Sequence, residues 1–284
     1  MGNGKCATSM CYVRRIVGVM LCGASAALAF APFFVPYHHR GTMRARARRI
    51  RRHASTTSDK SNLLLPIQSL KHDYYALRHG QSLPNVQGII MSNPNVTGYG
   101  LSEKGQAQAA QAAIDVATAF QQHNYTKLVV LTSDLQRARE TATIVCQHNP
   151  HLPIYQGGGP VLEVRLRERW FGAWDGTTDQ NYDKVWQDDA VDASHQNMGV
   201  ESVHNVMQRT TQCILEWDAQ LPPEDRLMVV LVAHGDVLQI LQTAFEKMDG
   251  RRHRSLPHLE TAQLRRLHLQ LHLAGGAGED CSFT

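Results

Sequence analysis

Short unbroken apolar runs alternate along this chain with longer stretches in which apolar residues recur at helical spacing. Residues 70–77 predict a first buried strand, which stops abruptly at Arg78-His79-Gly80. The stretch 80–100, rich in Gly, Pro, Asn and Ser, predicts a loop. Ser102 then caps a helix in which Ala107, Ala110, Ile114, Ala117 and Phe120 share a helical period. Residues 127–132 predict a second buried strand, and Ser133-Asp134 opens a helix through Val145. The stretch 148–200 reads as irregular, the pattern of a lid or wall around a site. A helix over 201–221 buries Val203, Val206, Met207, Cys213, Ile214 and Trp217. Residues 227–232 form the clearest buried strand, ending in Ala233-His234-Gly235-Asp236, with a helix over 237–248 beyond it. Leu267, Leu269, Leu271 and Leu273 alternate with polar residues as a half-buried edge strand does. Strand, helix, strand, helix is the grammar of an α/β fold with a parallel or mixed sheet.

Charge separates this body from what precedes it. Residues 1–58 hold ten basic side chains and no acid, which leaves nineteen basic against 25 acidic residues after them, a net of about −6 with His neutral. Nothing in that balance suggests a nucleic-acid-binding body. Residues 1–29 have a basic start, an apolar centre and a small-residue end, Ala27-Leu28-Ala29, which match a secretory signal peptide. Residues 30–61 are Arg- and Ser/Thr-bearing and nearly free of acid, as transit peptides are. The order resembles the bipartite leaders of algae whose plastids are reached through the secretory system, which implies delivery to a plastid. The alternative is a membrane anchor: residues 16–35 are uncharged and long enough to span a bilayer, and the charge beyond them would keep the body on the cytosolic side. The catalytic domain is expected over 62–274, with a flexible tail over 275–284. Cys146, Cys213 and Cys281, the cysteines outside the leader, are too widely spaced for a zinc pattern or a disulfide framework.

Three strand ends carry the candidate chemistry: His79 after the first, the 133–139 turn after the second, and His234 after a later one. Two strand-end histidines, each followed by glycine, with Arg78 and Arg137 beside them, would form a pocket for a dianion.

These motifs resemble those of the histidine phosphatase superfamily, the phosphoglycerate-mutase-like proteins, over about residues 72–273. Leu77-Arg78-His79-Gly80-Gln81-Ser82 with Asn85 resembles the signature loop, and the 133–142 segment a second phosphate-pocket segment. Leu166-Arg167-Glu168-Arg169, with Phe171-Gly172 and Asp175-Gly176, is similar to the acid-bearing loop, and Gly199-Val200-Glu201-Ser202 and Val232-Ala233-His234-Gly235 complete the set. The resemblance implies a three-layer α/β/α fold with a mainly parallel central sheet. It also implies a phosphatase that needs no metal or cofactor and acts on a small phosphorylated metabolite. His79 would be the nucleophile, and Arg78, Asn85, Arg137 and His234 would hold the phosphoryl oxygens. Glu168 would be the acid and base, with Glu163, five residues away, as the alternative. His79 must be neutral to attack, its other nitrogen donating to a carbonyl or similar acceptor, while a cationic His234 would suit a dianion. Trp170 and Trp174 read as wall packing. The rival readings are a mutase, disfavoured by the short stretch 177–198, and a catalytically idle phosphoprotein-binding scaffold. A membrane partner enters only if the leader is retained.

Overall fold

The computed structural model describes residues 70–270. The signal-like and transit-like segments, the candidate membrane anchor, the start of the expected domain over 62–69, the edge-strand positions Leu271 and Leu273, and the tail lie outside the described residues.

A five-stranded sheet forms the centre of the described region, in the order β3-β2-β4-β1-β5. Its strands are β1 (Asp73–Arg78), β2 (Lys127–Thr132), β3 (Val161–Leu162), β4 (Leu227–Ala233) and β5 (Leu264–Arg266). All neighbours run parallel except β5, which pairs antiparallel with β1. Side chains alternate between the two faces, so β1, β2 and β4 each feed two cores. Tyr74, Ala76, Val129, Leu131, Val229 and Leu231 pack with α5 (Val203–Gln220) and α6 (Gly235–Phe245). Tyr75, Leu77, Leu128, Val130, Met228 and Val230 pack with α2 (Glu103–Gln122) and α3 (Gln136–His148). Coverage on both faces explains why all seven residues of β4 are buried and why its sequence is an unbroken apolar run.

Several elements differ from the sequence reading. The 80–100 stretch contains a short helix, α1 (Leu83–Gln87), started by Pro84 in its first turn and closed by Gly88 in the left-handed conformation. Helix α2 is capped by Ser102, whose Oγ accepts from Gly105 N–H at 3.1 Å, but it buries a face rotated from the expected one. Ala109, Ala112, Ala113, Val116 and Phe120 are inside, while Ala107 is exposed and Ile114 is 58% exposed. Leu135, not Ser133, precedes α3, because the Ser133 side chain is engaged elsewhere. Within the irregular stretch lies α4 (Tyr182–Val191), and Ile90, Phe171, Val185 and Val200 form a third, smaller core beneath it. The edge strand β5 falls three residues before the alternating leucines; Leu267 is buried and Leu269 partly so.

Candidate active site

The backbone fixes the two strand-end histidines before any side chain acts. His79 N–H donates to Ala233 O at 3.0 Å, and Ser133 N–H donates to Val232 O at 3.0 Å, so the ladder hydrogen bonds continue past the ends of β1 and β2. Gly80 and Gly105 meet backbone to backbone: a Cβ on Gly80 would lie 2.4 Å from Gly105 O. That close approach seats the N-terminal turn of α2 directly behind the His79 loop. Gly80 N–H also donates to Thr141 Oγ1 at 3.1 Å, tying the loop to α3.

The rings of His79 and His234 face each other edge to face, 5.1 Å between centroids. His79 Nδ1 lies 2.7 Å from Gly80 O, which can only accept, so Nδ1 carries the proton. Arg137 Nε donates to His79 Nε2 at 3.1 Å, which makes that nitrogen the lone-pair bearer. Burial, then the charges of Arg137 and Arg78, hold His79 well below its ordinary pKa and keep it neutral. His234 Nε2 lies 2.9 Å from Ser133 Oγ, and its buried Nδ1 has no protein partner. Burial, followed by Arg137 and His79, depresses His234 as well, so with no dianion in the pocket the ring is held toward its neutral form, and the cation expected from the sequence would need the charge of the dianion itself.

Both arginines are held by carbonyls. Arg137 Nη2 donates to Met91 O at 2.8 Å, and Arg78 Nη1 donates to Leu259 O at 2.9 Å, while the buried Arg78 Nε has no partner. Gly235 lets this guanidinium lie flat against the start of α6, since a Cβ there would sit 3.3 Å from Arg78 Cζ. Asn85 Oδ1 accepts from the Ser82 N–H at 3.0 Å and from its hydroxyl at 2.8 Å, which orients the amide at the pocket mouth. His79, Arg78, Asn85, Arg137 and Glu168 line one cavity of about 200 Å3; His234 lies behind it against His79.

Glu168 and Glu163 have different surroundings. Glu168 Oε1 accepts from Arg169 N–H at 3.0 Å, and burial followed by the nearby Asp236 carboxylate pushes its pKa up to about 7 against the opposing pull of Arg137 and Arg78. Glu163 does not line the cavity. It accepts from Arg165 Nη2 at 2.7 Å and Trp217 Nε1 at 3.0 Å, and although burial opposes its charge, these donors bring it down to about 2.

Several residues at the site were not singled out from sequence. Arg169, fully buried, bonds both oxygens of the equally buried Asp189 at 2.7 Å and reaches Asp236 Oδ2 at 3.1 Å. His195 Nε2 lies 2.7 Å from Asp189 Oδ1, and Trp186 Nε1 donates to Asp236 Oδ1 at 3.0 Å. This buried charge cluster underlies the loop that carries Glu168. Tyr182, Trp186, Arg254 and His258 form much of the facing wall. Trp174 packs on the third core and under Lys184 Nζ, whereas Trp170 is 41% exposed and lines a separate cleft on the other side of Glu168. Among the described residues no cluster of His, Cys, Asp and Glu could hold a metal ion.

The chain is similar to known proteins in sequence and fold. Residues 74–272 match the sequence profile of the histidine phosphatase superfamily, branch 1. A broad-specificity phosphatase of Saccharomyces cerevisiae is 26% identical over 169 residues, covering 59% of this chain and 67% of the yeast protein. The structure of a mycobacterial glucosyl-3-phosphoglycerate phosphatase complexed with VO3 aligns at a TM-score of 0.55 and 28% identity, covering 68% of this chain and 91% of that one. A structure named mycobacterial hydrolase 2 aligns at 0.55 and 29% identity, over 68% of this chain and 80% of its own.

Proposed function

The chain belongs to the histidine phosphatase superfamily, and on that premise we propose that it is a phosphomonoesterase that hydrolyses a small phosphorylated metabolite through a phosphohistidine at His79, without a metal. The observation that carries the reading is the proton arrangement of His79. With Nδ1–H held by Gly80 O, the Nε2 lone pair is available on a neutral ring inside a pocket of guanidiniums. A neutral imidazole attacks phosphorus; an imidazolium cannot.

In the first step His79 Nε2 bonds to phosphorus as the bond to the leaving oxygen breaks, and Glu168 gives its proton to that oxygen. Arg137 Nε, which donates to Nε2 in this structure, transfers its hydrogen bond to a phosphoryl oxygen. Arg78 Nε supplies a second donor. Ser133 Oγ accepts from Leu135 N–H while its hydroxyl donates a hydrogen bond to His234 Nε2, so that the proton of the neutral His234 ring sits on Nδ1 and can donate to the phosphoryl group. Asn85 supplies a donor at the mouth. Such donors, fixed before the reaction, stabilise the charge that spreads over the equatorial oxygens. In the second step Glu168, now a carboxylate, takes a proton from water as the water attacks phosphorus. The N–P bond breaks, orthophosphate leaves, and Glu168 is again protonated. A pKa near 7 suits a group that must give and then take a proton at neutral pH.

Phosphate release from a panel of phosphomonoesters by the purified protein, with EDTA present, tests this reading. Turnover that survives the chelator supports it. Inactivity of the folded protein across the panel overturns it.

A further inference from the structure

Arg254 faces the same cavity as His79 yet lies outside every motif that carries the family resemblance. It comes from the 3-10 segment Gly250–Ser255, which follows α6. Its guanidinium carbon lies 3.7 Å over the Trp186 ring, and Nη1 donates to Gln239 Oε1. Gln239 is itself buried and fixed, its Nε2 donating to Leu256 O at 2.8 Å. Trp186 stacks on Tyr182, with centroids 5.2 Å apart and planes 7° from parallel, and its Nε1 is tied to Asp236. An arginine stem is ordinarily free to rotate, so this frame holds the cation in one orientation.

The guanidinium so held makes no direct ion pair among the described residues, although the charges of Asp236, Asp183 and Asp189 reach it. Among the described residues its one side-chain hydrogen bond is that of Nη1 to Gln239, which leaves Nε and Nη2 without a protein acceptor. Of those carboxylates, Asp236 is committed to Arg169 and Trp186 and Asp189 to Arg169 and His195, while Asp183 is exposed to solvent. Beside it, His258 Nε2 accepts from Arg78 Nη1 at 2.7 Å, which places the His258 proton on Nδ1 as a further donor at the cavity. Arg78, Arg137 and His234 already surround the nucleophile. A third arginine, braced on an aromatic face and facing the cavity with donors not bonded to any carboxylate, is suited to receive an anion.

We propose that Arg254, with His258 beside it, receives a second anionic group, a carboxylate or phosphate carried by the leaving alcohol, so that the substrate is a phosphomonoester bearing a second negative group. This assignment rests on the phosphatase reading above.

Two substrate pairs test it and separate the two anions. Glycerol 3-phosphate and 3-phosphoglycerate differ in a carboxylate; glucose 6-phosphate and glucose 1,6-bisphosphate differ in a phosphate. For the wild-type protein kcat/KM is expected to favour the anion-bearing member of at least one pair by about tenfold or more, the yield of one well-placed charged contact. In R254Q, shown to be folded by its melting temperature, that ratio falls toward one. R254K recovers part of it, because an ammonium keeps the charge but not the fork. Wild-type ratios near one in both pairs overturn the assignment while leaving the phosphatase reading intact. So does an R254Q variant that slows both members of each pair equally, which would put Arg254 on the transferred phosphoryl group. Hydrolysis of none of the four overturns the phosphatase reading itself, and this assignment with it.

Discussion

Arg137 Nε lies 3.1 Å from His79 Nε2, so a guanidinium donates to the very nitrogen whose lone pair the reaction needs. The contact defines the tautomer, suppresses protonation of the ring, and places the donor where a phosphoryl oxygen will arrive. Replacing His79 with Ala is expected to lower kcat by about a thousandfold or more, as loss of a nucleophile does. Arg137→Ala is expected to cost about a hundred- to a thousandfold in kcat/KM, with Arg137→Lys recovering little, because one ammonium cannot serve both Met91 O and the phosphoryl group. Steady-state kinetics on one substrate decide this; an Arg137→Ala variant within a few-fold of wild type contradicts it.

The pKa of about 7 at Glu168 sets the alkaline limit of activity. The acid must be protonated in the free enzyme, so kcat/KM is expected to fall by one proton above pH 7. His79, held well below its ordinary value, stays neutral and imposes no limit near 6.5. The profile must be corrected for the substrate phosphate, which ionises near pH 6. Retention of full kcat/KM to pH 9 would exclude Glu168 as the acid.

The same group has a measurable effect on stability. Its folded pKa is raised above the ordinary carboxyl value of 4.5, so the native state binds the extra proton between pH 4.5 and about 7. The resulting destabilisation is absent below 4.5, grows through that window and is complete above it, amounting to about 3 kcal/mol. Glu168→Gln removes it and is expected to raise the melting temperature at pH 8 by about 6 °C or more, with little change at pH 4. Equal melting temperatures at pH 8 would contradict the raised pKa.

Glu163 and Glu168 should separate cleanly in kinetics. Glu163→Gln removes a partner of Arg165 and Trp217 outside the cavity and is expected to cost about 1–2 kcal/mol of stability with kcat/KM within a few-fold. Glu168→Gln should cost about a hundredfold or more in kcat/KM with an alkyl phosphate, and less with an aryl phosphate whose leaving group needs no proton. The reverse ranking would transfer the acid role to Glu163.

The fully buried pair Arg169–Asp189 couples fold to site. Asp189→Ala strips Arg169 of its bidentate partner, leaving only Asp236 as counter-charge in the interior, and is expected to cost about 3 kcal/mol or more, a fall of about 6–10 °C in melting temperature. Thermal unfolding checks it; a shift below 2 °C would mean the cluster relaxes or takes in water.

The motifs and the buried strands were legible in the sequence because each is a local signal. The β4 run from Leu227 is apolar throughout since both sheet faces are covered, and His79 and His234 stand at strand ends where the pattern breaks. The face of α2 was not legible, because alanine is spread around that helix and gives no contrast. Close packing against α3 selected the small side chains Ala109, Ala112 and Ala113 and left Ile114 in solvent. Asp189, Tyr182 and Trp186 lie on a helix hidden in a stretch with turn-like composition. Arg254 and His258 sit in and beyond the basic run 251–254, which reads as solvated surface. Only the chain path after α6 brings those two to the cavity.

The central claim is a covalent phosphohistidine at His79. Its direct test is to quench turnover in alkali, where an N–P bond survives, and to map the phosphoryl group by peptide mass spectrometry. Phosphoryl mass is expected on the peptide containing His79, more of it in Glu168→Gln given an aryl phosphate, and none in His79→Ala. Turnover by His79→Ala at the wild-type rate, or a phosphoryl group trapped on another residue, would contradict it.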